Sequence, residues 1–438
     1  MTAAGAPVPH ARWIVVGLAL AGCAVLLWAT RGFLFYFDEW SFILTAPDWT
    51  LATYFEPHNE HPSMLLRLIY AALLNTVGLR TYVPYMAVLY LFHFTNVVLL
   101  FELVRRRSGD LVALGAALLL LVLGAGWEDL LWAWQMAWLA SVACGLGALL
   151  LVDRPGGWRL AAAVALLAAS LSFSGIGVPF AVAVAWRLAL TPGRRREVLG
   201  LAPLGIALLA WYALFGRFGQ HPNPQPTPAN LLLDPLYAAW GLSQGLAGVV
   251  GLGGWVGVPL LAAVAALLAW RWTRQPPDAA AIGVAAGLLA FYLVAGLTRA
   301  QLGLQQSGAS RYVYVAAVLW LILLADIARD LPWRGTWRPA LAACLFLACF
   351  NGAVVMFEFW TAKVFQMQLA VADLQALAEE RNDPCLDTTA HVDLLVMPDV
   401  LPLPYYRAID RYGDPAAGLP VHETQVLRPK ANLRKTGC

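Results

Sequence analysis

Charge is scarce in this chain. Of 438 residues only 13% are Asp, Glu, Lys or Arg, against about a quarter in an ordinary soluble domain. Lysine is nearly missing, with three against twenty-six arginines, an imbalance that reads as compositional bias rather than as function. The net charge of +3 is too small to point to nucleic acid as a partner. The six cysteines, at 23, 144, 344, 349, 385 and 438, lack the close pair spacings of zinc or redox motifs, which argues against a cysteine-built metal cluster. No convincing internal repeat is present, so a duplicated transporter half has no support.

What is there is hydrocarbon-compatible: 60% of the residues are hydrophobic. Apolar runs near the spanning length of about 20 residues fall at roughly 13–30, 82–104, 111–126, 136–152, 159–174, 176–190, 198–216, 249–270, 279–297, 312–328 and 339–360. These predict an all-α polytopic membrane protein of about eleven transmembrane helices. Leu20-Ala21-Gly22-Cys23 has the shape of a lipoprotein cleavage box, but the apolar run continues past it and reads as an uncleaved first helix. The pair hinged at Ser172–Gly177 reads as a tight outer hairpin or a partly re-entrant segment.

Arginine placement decides the ambiguous apolar run 63–79, which carries Arg67 and Asn75. If it lies on the outer surface, Arg105-Arg106-Arg107 and most other arginines fall in short, uniformly basic turns on the cytoplasmic side. It is therefore expected to be an interfacial helix with Pro62 in its first turn. The N-terminus is then expected inside and the C-terminus outside, in the cytoplasmic membrane of a bacterium. The outer face receives a long first loop (31–81), a proline-rich loop from 217 to about 248 with a stiff 220–228 stretch, and the tail. This divides the chain into a membrane domain, 1–360, and a small extracytoplasmic tail, 361–438. Residues 361–381 read as a continuation of the last helix, ended by Asn382-Asp383-Pro384, and Val392–Val396 reads as strand-like. Cys385 and Cys438 are expected to form a disulfide, being the cysteines of a polar segment in an oxidising compartment.

Polar chemistry concentrates in the first loop. Asp38 and Glu39 are adjacent and would point about 100° apart on a helix, so a division of labour is expected. One would take a proton from an attacking hydroxyl while the other holds a metal or positions the neighbouring loop; the plain alternative is a capped or solvated helix end. His58 and His61, with Glu60 between them, read as loop or substrate contacts, a divalent cation being the minor alternative because Pro57 and Pro62 disfavour a helix there. A second acidic pair, Glu128 and Asp129, is flanked by Trp127, Trp132, Trp134 and Trp138: an interfacial aromatic belt, or a wall for a sugar ring. Arg311-Tyr312 enters a late helix, where the guanidinium serves as a snorkelling anchor or as a fork for phosphate.

Asp38-Glu39, His61-Pro62, Glu128-Asp129 and Arg311-Tyr312 together resemble the GT-C class of integral membrane glycosyltransferases, such as protein O-mannosyltransferases, aminoarabinose transferases of lipid A and oligosaccharyltransferase catalytic subunits. The resemblance covers roughly 31–135 and 299–325. It departs where the common His-Pro-Pro-Leu becomes His61-Pro62-Ser63-Met64 and where no proline follows Arg-Tyr. It implies an inverting transferase that moves a sugar from a polyprenyl-phosphate carrier to an extracytoplasmic glycan, lipid or protein. The first acidic motif would be the acceptor's base and the arginine would contact the lipid phosphate. The rivals are a transporter or flippase for a lipid-linked glycan, which predicts ionisable residues deep in the helices, and a glycan polymerase or ligase of another membrane fold.

Overall fold

A computed structural model describes residues 7–218, 226–328, 331 and 335–438. Helix α1 (Ala11–Ala29) leads into the first loop, which holds α2 (Glu39–Thr45), a minimal antiparallel hairpin of β1 (Pro57–His58) and β2 (His61–Pro62), and α3 (Met64–Thr76). Then come α4 (Val83–Ser108), α5 (Asp110–Leu121), α6 (Trp127–Leu130), α7 (Met136–Leu151), α8 (Gly157–Phe173), α9 (Gly177–Leu190) and α10 (Ala202–Leu214). They are followed by α11 (Pro228–Gly248), α12 (Gly257–Arg274), α13 (Ala279–Arg299), α14 (Ser310–Ala328), α15 (Trp337–Glu380), α16 (Pro402–Tyr412) and α17 (Glu423–Asn432).

Among the described residues eight helices are long and apolar enough to cross a bilayer, or nine if α5 and the 124–130 segment form one span bent by 44°. Adding the shorter apolar helices α8 and α9 accounts for the eleven expected segments. The protein is an all-α polytopic membrane protein. The bend after α5 exists because α15 crosses there at backbone contact. A Cβ on Gly124 would meet the Gly352 carbonyl oxygen at 1.9 Å, and one on Gly352 would meet that of Val122 at 2.4 Å.

Helix α3 buries Leu66, Tyr70 and Leu74, one stripe at four-residue spacing. Its Arg67 is buried too, donating to the Glu56 carbonyl at 2.5 Å and lying 4.6 Å over the Phe42 ring. Pro62 is not in the first turn as expected; it pairs in β2, and the helix starts at Met64.

The expected loop 217–248 is corrected more substantially: from Pro228 to Gly248 it is the 21-residue helix α11. Asn230, Asp234 and Gln244 interrupt its apolar pattern, yet all are buried. Asn230 donates to the Leu297 carbonyl at 2.8 Å, and Gln244 closes a two-way bond with Gly254. Both ends of α11 lie at the same end of the bundle, since Asn230 meets the last turn of α13 and Gly248 packs on Val313 at the start of α14. The stiff 220–228 stretch falls largely on 219–225, outside the described residues.

At the opposite end the turns are not uniformly basic. Arg105 pairs with Asp110, Arg106 and Arg187 share Asp153, and Arg107 bridges Asp278 and Asp326. Arg329 and Arg334 lie outside the described residues.

Helix α15, 44 residues and therefore about 66 Å long, is twice the thickness of a bilayer core of about 30 Å. It carries the tail well beyond the membrane and ends before Asn382-Asp383-Pro384, as expected. The expected domain boundary at 360 falls inside this helix. A Cys385–Cys438 disulfide, Cα–Cα 5.8 Å, closes the tail. Val392–Val396 is not a strand: the Asp393 carboxylate accepts from the backbone N–H of Leu395 at 2.7 Å and Val396 at 3.1 Å and turns the chain. The tail then docks on the first loop. Phe37 N–H donates to the Val396 carbonyl at 3.2 Å, Leu79 N–H to that of Tyr412 at 2.9 Å, and the Tyr405 ring packs 5.7 Å from Trp40.

Candidate functional site

Beneath this docked tail lies a cavity of about 1430 Å³. The first loop supplies Asp38, His58 and His61 to it, the α6–α7 corner its tryptophans, α15 Lys363, the end of α13 Arg299 and the start of α14 Arg311. One flank is apolar, made by Leu214, Phe215 and Phe218 where α10 ends.

The adjacent carboxylates face different ways. Asp38 occupies the residue before α2 but makes no capping bond with its side chain; it lines the cavity with an oxygen 3.9 Å from His58 Nε2. Phe37, just before it, is held at φ 50°, a left-handed conformation costly for an aromatic residue (about 1–3 kcal/mol) and pinned by the bond to Val396. Glu39 points into the protein and is fully buried. It accepts from Tyr70 Oη at 2.6 Å, Tyr82 Oη at 2.9 Å and Tyr36 N–H at 2.9 Å. Burial pushes its carboxyl up to about 7, against the pull of those donors. Tyr82 Oη also accepts from Ala133 N–H at 2.8 Å, so Glu39 ties the first loop to the corner before α7. Its place is that of a positioning group.

The hairpin holds His58 and His61 in register, with Asn59 at φ 51° in its turn. The His58 ring packs edge-on to Trp134, centroids 4.7 Å apart. Burial, and then the Arg299 charge, push His61 down to about 4, which keeps it neutral near pH 7. Glu60 does not line the cavity but accepts from Arg299 at 2.8 Å. Among the described residues no three His, Cys, Asp or Glu side chains converge as a metal site would require.

The second acidic pair divides in the same way. Glu128 lines the cavity and accepts from Arg311 twice, from Nη1 at 2.9 Å and from the backbone N–H at 3.3 Å. Ser310 Oγ accepts from Glu128 N–H at 3.0 Å and donates to the Ala125 carbonyl at 2.8 Å, which locks α6 onto α14. Asp129 faces the interior, fully buried, and neither of its oxygens has a hydrogen-bond partner among the described residues. Trp127 lines the cavity and stacks on Phe359 at 4.5 Å. Tyr312 is outside the lining and supports Trp138 from behind, ring centroids 5.7 Å apart.

Asp38, His58, His61, Trp127, Glu128 and Arg311 thus share one cavity, whereas Glu39, Glu60, Asp129 and Tyr312 stand behind or beside it. Lys363, Arg299 and Asp399 also line it and were not singled out from the sequence as site residues. Burial, and then nearby Asp38, push Asp399 upward. The one available signal was for Lys363, the first of only three lysines in the chain. Compared with known proteins, the chain matches no family model and no curated protein.

Proposed function

We propose that the protein is an inverting glycosyltransferase that uses a polyprenyl-phosphate sugar and an acceptor from outside the cytoplasmic membrane. The observation that carries this reading is that Asp38 and Arg311, far apart in sequence, line one aromatic-walled cavity with an apolar flank. The flank at Leu214, Phe215 and Phe218 suits a prenyl chain, and the tryptophans suit a sugar face.

In the proposed step Asp38 takes the proton of the acceptor hydroxyl. The hydroxyl oxygen bonds to the anomeric carbon from the face opposite the phosphate, and the carbon–oxygen bond to phosphate breaks. The phosphate leaves with the bonding pair, and Arg311 meets its charge. Glu128 accepts from Arg311 Nη1 and from its backbone N–H, and so aims the guanidinium at the cavity. The outward orientation of the cavity end draws support from the tail disulfide, which suits an oxidising compartment.

Asp38→Asn keeps size and hydrogen bonding while removing the base. Turnover is expected to fall by about 10²-fold or more with donor binding retained, whereas Arg311→Ala is expected to weaken donor use by about 1.5–3 kcal/mol. Near-normal transfer by Asp38→Asn would remove Asp38 as the base. Buried Asp129, with no hydrogen-bond partner among the described residues, is the kind of residue the transporter reading asks for. Sugar transfer by detergent-solubilised protein separates the two, because a flippase has no reaction to perform without two compartments.

A further inference from the structure

Each arginine of the cavity is held by an acid: Arg299 by Glu60 at 2.8 Å and Arg311 by Glu128 at 2.9 Å. Lys363 is different. It lies on α15, one turn beyond Trp360, whose Nε1 donates to the carbonyl of Ala29 where α1 ends. That is the height at which a lipid's phosphate would sit if α1 spans the bilayer. The lysine is 6% exposed and lines the cavity. Its ammonium rests 3.3 Å from the centroid of the Tyr36 ring, and among the described residues it has neither an ion pair nor a hydrogen bond. Glu39 and Glu128 act on it only from a distance.

An ammonium that faces a cavity without a protein hydrogen bond has its three donors open to the oxygens of a ligand. The ammonium rests against one ring face and presents its charge from a flexible stem.

We propose that Lys363 is the second cation of the phosphate seat, contacting the lipid phosphate together with Arg311. This rests on the lipid-phosphate reading above and names a residue that carries charge at that site. Lys363 is not the base and takes no proton in the step. It offsets charge on the leaving phosphate that Arg311, shared with Glu128, offsets only in part.

The test uses the full-length protein in detergent, with farnesyl phosphate as the probe and farnesol and inorganic phosphate as controls. Lys363→Met is expected to weaken farnesyl phosphate binding by at least about tenfold and to leave farnesol binding unchanged. Lys363→Arg should restore a preference for the phosphate over the alcohol. Equal farnesyl phosphate binding by wild type and Lys363→Met overturns the role of Lys363 while leaving the phosphate reading standing. A wild type that binds farnesol as well as farnesyl phosphate overturns both.

If Lys363→Met does not fold, the wild type supplies the measurement. Farnesyl phosphate should protect Lys363 from an amine-acylating reagent, read by mass spectrometry, while exposed Lys435 reacts unchanged. Protection by farnesol alone, or equal protection by inorganic phosphate, overturns a lipid-phosphate contact.

Discussion

Asp38 and Glu39 show how neighbouring side chains of one chemistry acquire different work. Glu39 is surrounded by tyrosine hydroxyls and has no path to solvent, so its proton is held to about pH 7, whereas Asp38 meets the cavity. The folded state therefore favours the protonated carboxyl of Glu39. That contribution is complete below the ordinary carboxyl value near 4.5 and is lost as pH rises through about 7. Glu39→Gln removes the titration and keeps much of the shape. Melting curves from pH 5 to pH 8 should show wild type losing stability relative to this variant, by on the order of 3 kcal/mol at most. Parallel curves for the two proteins would mean that Glu39 stays ionised throughout.

Between elements, α9 packs on α13 at backbone contact. A Cβ on Gly283 would lie 2.5 Å from the carbonyl oxygen of Ala183, and one on Gly287 2.5 Å from that of Pro179. The neighbours are backbone atoms, so neither can move aside without shifting a helix. Where lipid tails are as apolar as the side chains, such small-residue approaches supply much of the attraction between helices. Gly283→Ala and Gly287→Ala should each lower the melting temperature in detergent, at a cost of about 1–3 kcal/mol. Gly17→Ala on α1, with nothing within 4 Å of its added methyl group, should change little. Equal melting of all three variants would show that α9 and α13 do not pack this closely.

For the whole molecule, the tail and the first loop act as one outer layer over the end of the helix bundle. Val396 holds Phe37 in place, and Phe37 sets the direction of Asp38, so closing the tail at Cys385–Cys438 steadies the proposed base. Cys385→Ser should destabilise the outer layer by about 2–4 kcal/mol in principle and reduce turnover more than donor binding. Non-reducing mass spectrometry should find both thiols joined in the native protein; finding them free would end this account. A single cysteine at exposed His391 should react with an impermeant reagent from outside, while one at exposed Arg106 should not. Labelling at Arg106 alone would invert the orientation.

The sequence by itself determined that the chain is a helical membrane protein, because spans must satisfy their backbone bonds internally and so leave long apolar runs that can be counted. It also marked both acidic pairs and Arg311 as candidates, since charges are conspicuous in so apolar a chain. It did not reveal α11, whose buried Asn230 and Gln244 bond to α13 and to the turn at Gly254, and so read as loop. Nor could spacing say which carboxylate of each pair meets the cavity. That depends on the direction in which α2 and α6 are rotated, and the rotation is set by distant residues: Tyr70 and Tyr82 around Glu39, Ser310 and Arg311 around Glu128. Lys363 was invisible as a site residue for the same reason. Only the tertiary structure brings α15 alongside the first loop and places its ammonium over Tyr36.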